Sequence, residues 1–116
     1  METLKEFMLL FRMAPTNERP TAEQMATMQN QWKNYIGSIA SQAKLVNTSR
    51  LGFEGSCINP KGQISNNIYI SDKQTLSGNM VVKATNIQEA ENLAINCPVL
   101  AMGGSVEVRS LIPMEF

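Results

Sequence analysis

Between Thr21 and Lys44, apolar residues recur every three or four positions: Met25, Met28, Trp32, Tyr35, Ile36, Ile39, Ala40 and Ala43. That spacing predicts one long amphipathic helix with a single apolar stripe. Thr21 and Gln24 have the spacing of a capping box, in which hydroxyl and amide each satisfy a free backbone N–H and set the helix start. Gly37 lies inside this helix, either as a tolerated residue or where a backbone or ligand approaches closely. Shorter runs point to strands. Leu4–Arg12 is apolar on both faces, with Phe7, Leu9 and Phe11 on one side and Met8 and Leu10 on the other, followed on that second side by Arg12.

After a polar loop from Pro15 to Pro20 and the helix, Leu45–Leu51 reads as a second strand that ends near Arg50. A hairpin is expected next, with arms at Glu54–Ile58 and Gln63–Ser65 around Asn59-Pro60-Lys61-Gly62, where Pro and Gly suit a tight turn. Asn66–Ser77 has no clear period and reads as a loop with a short turn at Asp72–Thr75. A strand follows at Gly78–Thr85, then a helix over Ile87–Asn96, capped by Thr85 with Gln88 or by Asn86 with Glu89. Its inward stripe is Ile87, Ala90, Leu93, Ala94 and Cys97, and Pro98 is expected to stop it. Gly103-Gly104 turns the chain into a last strand, Ser105–Leu111, in which Val106 and Val108 alternate with Glu107 and Arg109.

Strand, helix, strand, hairpin, strand, helix, strand is a doubled split βαβ unit. It predicts an α+β, ferredoxin-like domain with an antiparallel sheet and two helices on one face. Two helices cover one face only, which leaves the Met8 side of the first strand bare. A second copy, sheet against sheet, is the expected cover, forming a homodimer with a cavity between the sheets.

Composition narrows the chemistry. The 116 residues fit one domain, spanning 1–116, and ten basic residues offset ten acidic ones. The basic residues are scattered singly, so no nucleic-acid partner is expected. The apolar run Phe7–Phe11 is far shorter than a membrane span and no basic leader precedes it, so no membrane partner and a cytoplasmic location are expected. Cys57 and Cys97 are far apart without a C-x-x-C spacing, which suggests two free thiols. There is no His. His-based acid–base catalysis and most zinc sites are thereby excluded, and no metal or cofactor is expected.

Lys5-Glu6-Phe7-Met8-Leu9-Leu10-Phe11-Arg12, the Met-rich helix with Trp32, the Arg50-Leu51-Gly52 step and Cys97-Pro98-Val99-Leu100 before Gly103-Gly104-Ser105-Val106-Glu107-Val108-Arg109 together resemble the YCII-related proteins of the DGPF branch. The likeness spans nearly the whole chain and implies a dimeric α/β barrel. Some members of the wider superfamily are small-molecule enzymes, including a dehydrochlorinase, that rely on a His-Asp pair; other relatives are encoded beside alternative sigma factors. Counting back from Gly78, the Asp-Gly-Pro-Phe signature falls on Asn66-Asn67-Ile68-Tyr69, and Lys73 stands where the branch usually has Lys.

The candidate ligand-binding residues are Arg12, Trp32, Arg50, Asn66, Tyr69, Lys73, Glu107 and Arg109. Strand alternation puts Glu107 and Arg109, with Arg12, on the side away from the helices. There they either form a structural ion pair or fork onto a ligand carboxylate. Trp32 either packs in the core or lines a pocket mouth. Asn66 and Tyr69 either bond a neutral ligand or belong to an inactive loop. Three functions follow as expectations: a barrel that binds a small anionic or aromatic molecule, a lyase-like enzyme that uses other polar groups in place of His, or an interaction protein of a regulatory operon.

Overall fold

A computed structural model of the chain describes residues 3–15 and 20–114. In chain order the elements are β1 (Lys5–Met13), α1 (Ala22–Ala40), β2 (Leu45–Arg50), β3 (Cys57–Ile58), β4 (Ile64–Ser65), β5 (Thr75–Ala84), α2 (Ile87–Ala94), α3 (Pro98–Ala101) and β6 (Ser105–Ser110). Four strands form an antiparallel sheet in the order β2-β5-β1-β6, while β3 and β4 pair separately as a hairpin. This is an α+β architecture with the strand order of a ferredoxin-like fold. Part of the expected 15–20 loop lies outside the described residues.

The core forms on one face of the sheet. Phe7, Leu9 and Phe11 of β1 meet Met80, Val82 and Ala84 of β5, and the helices bring Tyr35, Ile39, Ala90 and Ala94 against them. Period-two alternation in the strands and the helical stripe of α1 thus meet on a common surface. Leu9, Ile39, Met80, Val82 and Val99 are fully buried.

The capping box at Thr21 is present in both directions, with Gln24 N–H donating to the Thr21 hydroxyl and Thr21 N–H donating to the Gln24 side chain. Of the two caps expected for the second helix, Asn86 is the N-cap, its side chain accepting from the Glu89 N–H at 2.9 Å. Thr85 instead donates its hydroxyl to the Glu89 carboxylate, which also pairs with Lys44 at 2.6 Å. This ties the segment between α1 and β2 to the first turn of α2.

Several expectations are corrected. The stripe of α1 reaches the core only over Trp32, Tyr35, Ile36 and Ile39, of which Tyr35 and Ile39 are buried; Met25, in the first turn, and Ala40 and Ala43, at the far end, are exposed. The apolar period shows that a helix has a greasy side but not how far its support extends. Nothing would stand within 4 Å of a Cβ at Gly37, so no backbone approaches there. Pro98 does not merely end a helix. Ala94 already ends α2, and Pro98 opens α3, where a missing N–H at the first position leaves no hydrogen bond unmade. The hairpin is shorter than expected, and β5 starts earlier, at Thr75.

The described residues contain no helix long and apolar enough to cross a membrane.

Candidate functional site

The face of the sheet opposite the helices carries three cross-strand rows. Register places Asn47, Val81, Met8 and Arg109 in one row, and Ser49, Asn79, Leu10 and Glu107 in the next. Leu76, Arg12 and Ser105 form the third, beyond a bulge at Phe11/Arg12. Paired residues in adjacent antiparallel strands project to the same side, so these side chains share one floor. It grades from amides and hydroxyl on β2 and β5, through Met8, Leu10 and Val81, to charges on β1 and β6. Val81 is buried yet stands outside the cluster beneath the helices, as expected of a central residue on the second face.

At the charged side, Arg12 donates through Nη1 to Glu107 Oε1 at 2.8 Å, and Arg109 donates through Nη1 to Glu107 Oε2 at 3.1 Å. Each guanidinium occupies a different carboxylate oxygen. Hydrogen bonding from Arg12 first, and Arg109 second, holds the Glu107 carboxyl below its ordinary range. Two positive charges against one negative leave the trio with net charge +1 and with guanidinium N–H groups not used on Glu107. Arg109 is the freer arm, its side chain 67% exposed against 39% for Arg12. The expected Glu107–Arg pairing is present, with both arginines as partners.

The end of the floor is fastened by residues that sequence reasoning did not single out. The Gln74 side chain donates to the Gly103 carbonyl at 3.2 Å and accepts from the Ser105 hydroxyl at 2.8 Å. Gln74 closes a tight turn, in which Ser71 and Gln74 exchange backbone hydrogen bonds of 2.9 Å while Asp72 and Lys73 both take left-handed conformations. Two consecutive positive φ values without glycine carry local strain. Gly104 is required where it stands, since a Cβ would lie 2.4 Å from the Arg12 carbonyl. Asn47 and Asn79 were also missed; only the sheet register reveals that they share a face with Leu10 and Met8.

The remaining candidates are not brought to this floor. Trp32 lies on the helix side, its ring 5.4 Å from that of Phe11 and 6.0 Å from that of Tyr35. It is a partly buried flank of the core, in line with the first of its two readings. Arg50 pairs with Gly78, in the row of Phe11, which by alternation faces the helix side. Asn66 is exposed just after β4, and Tyr69 is 75% exposed, its carbonyl accepting from the Thr75 hydroxyl. Lys73 sits in the strained turn, joined to the floor only through its neighbour Gln74.

The Cys97 thiol has no reactive setting. Burial pushes the Cys97 thiol up to about 11, only partly offset by the Val99 backbone N–H. Tyr35 is likewise raised by burial, its hydroxyl donating to the Leu93 carbonyl at 2.7 Å. Among the described residues no cluster of three or more metal-ligating side chains exists. A polar cleft of about 290 Å³ between the end of α1 and α2, lined by Ser38, Gln42, Asn92 and the Lys44–Glu89 pair, lies on the far side of the molecule.

The floor therefore defines a class of site: an apolar surface with a fixed cationic fork at one side and hydrogen-bonding amides at the other. No family model matches the chain, and no characterised protein matches it in sequence.

Proposed function

We propose that this chain is a YCII-like protein of the DGPF branch whose two copies pair sheet to sheet as a dimeric barrel, and that it binds a small apolar or aromatic acid between the sheets. The observation that carries this reading is the Arg12–Glu107–Arg109 trio beside Met8, Leu10 and Val81. A carboxylate accepts a guanidinium fork in a bidentate geometry, an apolar ring covers the Met and Leu side chains, and the amides opposite recognise a second polar group. Glu107 holds the two arginines in place so that little order is lost when the anion arrives.

In this reading the chain acts by binding: it has no His, and its single Asp lies in the turn before β5. The test is thermal unfolding with benzoate, using benzamide as the uncharged control. Benzoate at ~100 times its dissociation constant adds about 2.7 kcal/mol and raises the melting temperature, whereas benzamide adds far less. Arg109→Ala removes most of that gain and Arg12→Ala the rest. Equal shifts from both compounds, or a gain that survives loss of both arginines, would falsify the anion site. Accumulation of a converted product would replace binding with catalysis.

A further inference from the structure

The hairpin β3–β4 and its flanks form an arm, residues 51–70, that carries several large apolar side chains into solvent. Ile58 and Ile64 face each other across the two strands and are 69% and 65% exposed. Phe53, Tyr69 and Ile70 are exposed on the same arm. The molecule measures 48 × 46 × 21 Å, and its radius of gyration is 16.0 Å, against about 13 Å for a compact chain of roughly this length. A thickness of 21 Å holds one sheet and one helix layer; a third layer would add about 10 Å. The arm therefore extends beside its own sheet and leaves the Met8–Leu10 floor uncovered.

We infer that the arm of each copy packs along the margin of the second copy's floor, beside the paired sheets, and forms the missing wall of its anion site. This deepens the proposed function and rests on its dimer. Two quantities select a second copy as the occupant. Four strands at ~4.8 Å spacing and about 20 Å length give a floor of roughly 400 Å², about half of the ~800 Å² per partner that a stable interface buries. The sheets alone are too small, and the arm is the apolar surface that supplies the remainder. The arm also has the reach: eight residues from Leu51 to Ile58 extend up to about 26 Å, longer than the floor is wide. Its roots lie at the right end, since Arg50 pairs with Gly78 beside Phe11, and Gln74 bonds Gly103 and Ser105 next to Arg12. One two-fold operation then covers both floors and both arms, which an unrelated partner would have to match separately.

Sedimentation equilibrium of the full chain tests this, comparing wild type, the double variant Ile58→Glu/Ile64→Glu and Met25→Glu, which charges the competing apolar surface on α1. Wild type is expected to be dimeric at ~10 µM, and the double variant to dissociate at least ~100-fold more readily, as loss of a central apolar anchor does. Because both isoleucines are largely exposed, the circular dichroism of the variant should match wild type. Met25→Glu should dimerise normally. A double variant that dimerises like wild type overturns the arm while leaving the sheet-to-sheet dimer intact. Weakening by Met25→Glu alone moves the interface to the helices and overturns both. A monomeric wild type removes the proposed dimer and the arm with it.

Discussion

Two residues, one in α1 and one in the turn that follows it, stand in each other's preferred environment. Gly37 occupies an exposed helix interior with open space at its Cβ, where Ala is favoured by about 1 kcal/mol. Ala43 has φ 58 at the helix end, where Lys44 N–H reaches back to the Ile39 carbonyl and Ala43 N–H to that of Ala40, a position that favours Gly. Gly37→Ala and Ala43→Gly should each raise the unfolding free energy by about 1 kcal/mol in denaturant titrations, and the two gains should add because the sites share no partner. Glu107 gives a pH-dependent expectation. Its pKa is lower in the folded chain than the ordinary 4.5, so the unfolded state binds more protons in the acid range. Its contribution is present above that value and is lost as pH falls through the folded one. The melting temperatures of wild type and Glu107→Gln should differ at neutral pH and converge in acid.

At the scale of elements, the junction of α3 with β6 holds the most closely approached of the glycines. A methyl group at Gly104 would strike the Arg12 carbonyl at 2.4 Å and the Val99 side chain at 2.7 Å, and backbone cannot yield as a side-chain tip can. Gly104→Ala should destabilise by more than ~2 kcal/mol in the same titration, and displacement of β1 at Arg12 should lower benzoate affinity in what remains folded. Local chemistry was legible in the sequence: the Thr21–Gln24 box, the alternation of Val106, Glu107, Val108 and Arg109, and the hairpin turn with Gly62 at φ 80 all follow from neighbours close in the chain. Site composition was legible only in its charged part. Asn47 and Asn79 join Leu10 and Met8 through strand register, which no local spacing encodes. Pro98 misled because a residue that cannot continue one helix is well suited to begin another. The exposed first turns of α1 escaped for a related reason, since Met25 continues the stripe of Trp32 without continuing its support.

Taken whole, the molecule is a thin two-layer plate with one finished face and one unfinished face. Its core needs Leu9, Met80 and Val82 on the helix side, whereas the side that carries the arginines is the side left open. Most of the core and the proposed binding face thus lie on opposite sides of a single sheet, so a substitution at Asn79, outside the Arg12–Glu107–Arg109 trio, should alter the proposed binding with little effect on the monomer's stability. The same geometry gives the chain two chemical clocks. Cys97 is sealed in the core with its thiol pushed up to about 11 by burial, so that the reactive anion is scarce near neutral pH; Cys57 sits half-covered on the hairpin. In pulsed alkylation read by mass spectrometry, the first thiol should acquire label only at the pace of global unfolding, and the second should follow the movements of the arm alone.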